Sequence, residues 1–192
     1  MYMKEAERGA EILRVYKQRI EALKDEITDQ NDRVVAMIFH TLVDDELRLL
    51  LQEVLVRPKT SKKCGNPYDE LFAGPFGALS SYGGRIRFSR CVNLFGDKMY
   101  QDLKSIGWIR NRLAHNLLDE GADPPQRMTF TMADVAKRCN ELHAIQGRRG
   151  AGKFPLNSPR HKFIDVCIIR TSQLQNQRSF ARKMPPIISW AP

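Results

Sequence analysis

The sequence predicts an all-α fold, a single-domain bundle of about six to seven helices. Three observations predict it. Apolar residues recur at spacings of three and four along most of the chain, which lines one face of a helix. No run alternates apolar and polar residues over a strand's length. The breaks between periodic segments carry Gly, Pro, Asn, Asp and Ser, the residues of connections. With 192 residues and 42% hydrophobic content, the chain is long enough to bury a core without cross-links.

Residues 1–30 form an N-terminal helix in this reading, with Ile12, Tyr16, Ile20, Leu23 and Ile27 as its apolar stripe. Residues 31–177 are the main helical domain and 178–192 an irregular basic tail. Asp32 is placed to cap a second helix that runs to Val56. Its buried candidates are Val35, Ile38, Leu42, Leu49 and Val54, and the acids Asp44, Asp45 and Glu46 should face solvent or a basic partner. A basic loop from Pro58 to Pro67 precedes a short helix at Tyr68–Phe72 and a Gly74-Pro75 turn. Ser80 or Ser81 caps the next helix, which ends near Phe95 and carries Ile86, Phe88, Val92 and Leu94. Gly83-Gly84 costs helical propensity there, and a close approach by another backbone would account for the pair.

Gly96-Asp97 opens a helix to Asn116, with Tyr100, Leu103, Ile106, Ile109 and Leu113 as its stripe. That stripe runs unbroken past Gly107, which argues against a helix-turn-helix. After an acidic loop from Asp119 to Gln126, Thr131 caps a helix to Ile145 carrying Met132, Val135, Cys139 and Leu142. Gln146 to Asn157 is a Gly-rich basic linker, and Ser158-Pro159 opens a last helix to Gln177.

The net charge of +9 is local: residues 146–192 carry nine basic side chains against Asp165, while residues 1–145 are net +1. Such a field favours phosphate-rich partners, or is a solvated basic tail. A charged N-terminus and no long apolar run predict a cytoplasmic protein without a membrane partner. The cysteines Cys64, Cys91, Cys139 and Cys167 form no CxxC pair. Cys91, Cys139 and Cys167 read as core packing. Cys139 and His143 lie one helical turn apart but lack a second ligand pair, so neither a metal nor a cofactor is expected.

The segment with the most chemistry is Ile109-Arg110-Asn111-Arg112-Leu113-Ala114-His115. An Arg fork holds phosphate and stabilises developing charge. A His titrating near neutrality can move protons at a ribose 2′-hydroxyl or a leaving oxygen, and Asn111 could orient either group. Arg110 and His115, however, are five residues apart, about 140° around a helix. One straight helix does not easily point both at one atom, although Arg is long, and a second copy of the helix could bring its own pair across a dimer interface. His115-Asn116 is equally a good helix C-terminus, where cations complement the dipole.

From Asp44 to Asn116 the order of features resembles the mannitol operon repressor family. It is carried by Asp44-Asp45-Glu46-Leu47, Leu71-Phe72, Gly77-Ala78-Leu79-Ser80-Ser81, Arg85-Ile86, Gly96 and the Ile109-Arg110-Asn111…Ala114-His115 finish. Thr129-Phe130, the helix through Cys139 and the last helix continue it, so that it spans residues 30–175 but not the Pro58 loop or the tail. The Arg-Asn-x-x-x-His end is also similar to the signature of the HEPN group of helical domains, many of them metal-independent endoribonucleases that work as dimers. The resemblance implies phosphate binding by Arg110, acid/base work by His115 and support from Asn111. The repressor family's name implies regulation of transcription.

The expectation is therefore a homodimeric endoribonuclease acting by 2′-hydroxyl transesterification, with RNA held by Arg112, Arg148, Arg149, Lys153, Arg160 and Lys162. The alternative is a non-enzymatic regulator of the same fold that binds protein or nucleic acid. A protein that regulates the chain is a further expected partner. Gly147 to Lys153 matches the start of a phosphate-binding P-loop, but Phe154 stands where Ser or Thr is needed and a helix precedes it, so nucleotide hydrolysis is rejected.

Overall fold

The computed structural model describes residues 31–55, 67–74, 76–115, 118–119, 126–146 and 158–183. Among them run six α-helices: α1 (Asp32–Val54), α2 (Pro67–Phe72), α3 (Tyr82–Cys91), α4 (Asp97–His115), α5 (Ala133–Asn140) and α6 (Pro159–Ala181). A 3-10 turn, His143–Ile145, follows α5. The fold is the expected all-α bundle. Two strands of two residues, Leu118–Asp119 and Gln126–Arg127, pair antiparallel after α4. A ladder that short leaves no alternation to read in a sequence. The 4–29 segment, most of the Pro58–Pro67 loop and the linker after Gln146 lie outside the described residues.

α6 lies along α1, and α4 packs across both. Val35, Phe39, Val43, Leu47 and Leu50 of α1 meet Leu103, Ile106, Ile109 and Leu113 of α4 in one core. α6 adds Phe163, Val166, Cys167 and Leu174, with the Phe163 ring 5.2 Å from that of Phe130. Each such side chain taken from water stabilises the fold by about 1.5–3 kcal/mol. Ile38, Leu42 and Leu49, expected in the core, are only half-buried. No helix of the described residues is long and apolar enough to cross a membrane.

The helix ends depart from expectation for identifiable reasons. Asn31, not Asp32, caps α1, its Oδ1 accepting from the Arg33 N–H at 2.9 Å. Asp32 is released to accept from the Phe130 N–H at 2.9 Å and from Arg160 at 3.0 Å, tying the start of α1 to that of α6. Ser81 caps α3 as expected. The helix stops at Cys91 rather than near Phe95, because Asn93 turns left-handed at φ 57° and the Leu94 N–H bonds back to Ser89 O at 2.9 Å. Cys91 is consequently exposed, while Cys139 and Cys167 are buried as expected.

Of the glycine pair, Gly84 meets the predicted close approach: a Cβ there would sit 2.4 Å from Ala78 O, whereas at Gly83 it would meet nothing within 4 Å. Thr131 does not cap α5. Its hydroxyl shares a 2.7 Å hydrogen bond with Thr129, and α5 begins after Met132 without a side-chain cap. α6 is capped by Ser158 and runs through Ala181, four residues past the expected end.

Candidate functional site

α4 carries the candidate site, and its two flanks face different neighbours. On one flank the α3 residue Tyr82 lies against Gly107, where a Cβ would come within 2.8 Å of its ring. Its hydroxyl donates to Leu103 O at 3.0 Å. Gly107 thus lets α3 approach, and Arg110 follows one turn later on the same face. The buried His40 of α1 meets the Tyr82 ring edge-on, with centroids 4.4 Å apart. Beside them Arg85 grips Asp44 through Nε and Nη2 at 2.6–2.9 Å and gives Nη1 to Leu79 O and Ser80 O.

Burial pushes the His40 imidazole down to about 4; the Asp44 charge opposes this, and the Arg110 and Arg85 charges add to it. His40 is therefore neutral at physiological pH. Arg110 is half-buried and donates from Nη1 to the exposed Asn111 Oδ1 at 2.8 Å. Its Nε is buried without a hydrogen-bond partner.

The other flank faces α5. The Arg138 guanidinium lies 4.9 Å over the Trp108 ring, and Arg112 Nε donates to Asp134 Oδ2 at 2.9 Å. Trp108, Asp134, Lys137, Arg138 and Glu141 line an open groove there. His115 follows Trp108 by seven residues, about two turns, and so lies on the same flank; it is exposed. Arg110 and His115 start about 140° apart around α4, and the Arg110 side chain turns toward Asn111, one turn before His115.

The chain shares its fold with a chain in the X-ray structure of the MtlR–HPr complex from Escherichia coli. The TM-score is 0.57 at 14% sequence identity, covering 86% of this chain and 99% of that one. At that identity the likeness is one of fold, in line with the architecture that the family resemblance implies. No family model and no curated protein matches the sequence.

The basic residues assigned to nucleic acid have neighbours within the chain wherever they are described. Arg112 pairs with Asp134, Arg160 with Asp32, and Lys162 donates to Asn140 Oδ1 at 2.6 Å. Arg148, Arg149 and Lys153 lie outside the described residues. Three more cations of the C-terminal quarter are bound to acids of α1 and α4: Arg170 to Asp102, Arg178 to Glu46 and Arg182 to Glu53. Much of the basic excess therefore holds the bundle together. It also answers where two of the α1 acids turn, since Asp44 and Glu46 find basic partners within the chain.

Asp102 escaped the sequence reading. Its buried carboxylate accepts from the backbone N–H groups of His143 and Ala144, at 2.7 and 2.9 Å, and from Arg170 Nε at 3.0 Å. His143 Nδ1 lies 3.0 Å from it. Capture of those two amides marks where α5 gives way to the 3-10 turn. It also engages the His143 ring, half of the weighed zinc pair, while burial pushes the Cys139 thiol up to about 12. Among the described residues no group of three or more His, Cys, Asp or Glu is placed to hold a metal. A signal for Asp102 was present. It follows Met99 by three and precedes Ile106 by four, an acid on the apolar stripe. Arg170 interrupts the α6 stripe in the same way, between Cys167 and Leu174.

Proposed function

We propose that this chain is a non-catalytic regulator that works by holding a partner protein. What carries the reading is helix geometry, which sets Arg110 and His115 about 140° apart on α4. A phosphate clamp and a proton-transfer group need a shared reacting atom, and here one faces the His40–Tyr82–Arg85 cluster while the other follows Trp108 on the α5 flank. The fold likeness to a chain of the MtlR–HPr complex supports the reading, since that protein assembles with another. So does the internal pairing of the C-terminal cations, which lowers the charge left for nucleic acid.

Phe76, 98% exposed between α2 and α3, and the exposed Leu71 are suited to such a contact, because aromatic side chains commonly anchor interfaces. The test is calorimetry with purified HPr. The expected result is saturable binding, weakened about tenfold or more by Phe76→Ser at an unchanged melting temperature. No binding to HPr, together with RNA cleavage that His115→Ala removes, contradicts the reading.

The homodimeric endoribonuclease is the second reading. One observation favours it: Asn111 and His115 are exposed at the end of α4, open to a second copy that could place its Arg110 beside them. It requires dimerisation, and cleavage without metal leaving 2′,3′-cyclic phosphate ends.

A further inference from the structure

Four arginines of this chain hold a carboxylate in one way, through the Nε–Nη2 edge of the guanidinium. Arg85 does so with Asp44 and Arg170 with Asp102. Arg90 and Arg182 repeat it with Asp97 and Glu53. That edge matches the planar carboxylate. Arg110 differs. Its Nη1 is engaged by Asn111, while its Nε is buried without a partner and its Nη2 makes no hydrogen bond among the described residues.

We infer that the Nε–Nη2 edge of Arg110 is the anchor for a carboxylate on the surface of a bound partner protein. The partner itself rests on the regulator reading above; the vacant edge does not. Three features support a carboxylate. Among the described residues the site carries one net positive charge, because Asp44 and Arg85 neutralise each other and His40 is neutral, and a single carboxylate balances it. The segment Ile109–His115 holds Arg110, Arg112 and His115 and no acid, so an acidic surface meets no repulsion from it. One neutral hydrogen bond, to Asn111, is the contact described for the guanidinium, so its flexible stem can swing outward at small cost. Leaving Nε buried and unpaired is unfavourable, which adds a drive toward the paired state.

The experiment is a titration of the full chain with a hexaglutamate peptide, followed by NMR of the arginine Nε–H groups. The expected result is a saturable downfield shift of the Arg110 Nε–H, with hexaglutamine giving none. Affinity should fall about tenfold in Arg110→Gln. It should fall similarly in Arg110→Lys, which keeps the charge but has no planar edge. An Arg110 signal that does not move overturns the inference, as does full affinity in Arg110→Lys. Inorganic phosphate displacing the peptide at equal concentration would assign the edge to a phosphoryl group instead and also overturns it. Binding of HPr without any response at Arg110 would sink this anchor and leave the regulator reading standing.

Discussion

Two stretches of the same helix handle buried polar groups in opposite ways. Around Asp102 every partner is in place: two backbone amides, an imidazole and a guanidinium surround one carboxylate. Two turns later Arg110 sits half-buried with a neutral amide as partner and an Nε that has none. A satisfied buried network holds elements in place, here α6 and the 3-10 turn against α4. An unsatisfied one costs free energy until water or another group completes it. If Arg110 anchors a partner, as proposed, the difference separates the part of α4 that builds the fold from the part that meets a ligand.

The largest effect that could break this comparison is at Asp102. Asp102→Ala leaves Arg170 buried and uncompensated, and stability should fall by about 3–5 kcal/mol, read from urea unfolding. A loss under about 1 kcal/mol would mean that the network is ornamental.

His40 gives the next effect. Its folded-state value of about 4 lies below the ordinary 6.5, so the unfolded chain takes up the proton first. The stability that the neutral ring contributes is complete above pH 6.5 and is lost as the pH falls toward 4. The loss should reach about 3 kcal/mol relative to His40→Gln, measured as the urea midpoint against pH. Parallel curves for the two proteins would contradict the burial of His40.

Gly84→Ala should cost about 1–3 kcal/mol, because the added Cβ would sit 2.4 Å from a main-chain oxygen, that of Ala78, which cannot swing aside as a side chain can. Gly83→Ala, in open space, should be neutral or slightly stabilising. The smallest effect is expected at Arg110. Arg110→Gln should change stability by no more than about 0.5 kcal/mol in thermal unfolding, in contrast to Asp102→Ala. A cost near that of Asp102→Ala would make both stretches structural.

The apolar stripes were readable because side-chain burial follows the helical period directly. Leu103, Ile106, Ile109 and Leu113 are buried as their spacing requires. The continuity of α4 past Gly107 was legible for the same reason. Helix ends were less legible, because the residue beside a cap can have a tertiary task. Asp32 looks like a cap and instead joins α1 to Phe130 and Arg160. The stop of α5 coincides with a carboxylate that precedes it by some forty residues in the chain. The angular offset of Arg110 and His115 around α4 followed from helix arithmetic alone. What lies near Arg110 did not, since the His40 ring that feels its charge comes from α1. The charge of the C-terminal quarter was legible only in part, because sequence shows the cations but not the acids of α1 and α4 that hold Arg160, Arg170, Arg178 and Arg182.

The most direct test of whether the end of α4 binds or cuts is an RNA cleavage assay in excess EDTA, comparing the wild type with His115→Ala. A non-catalytic regulator predicts intact RNA with both proteins, each shown to be folded by circular dichroism. Cleavage by the wild type alone, with 2′,3′-cyclic phosphate ends, would contradict it and place a ribonuclease at Arg110 and His115.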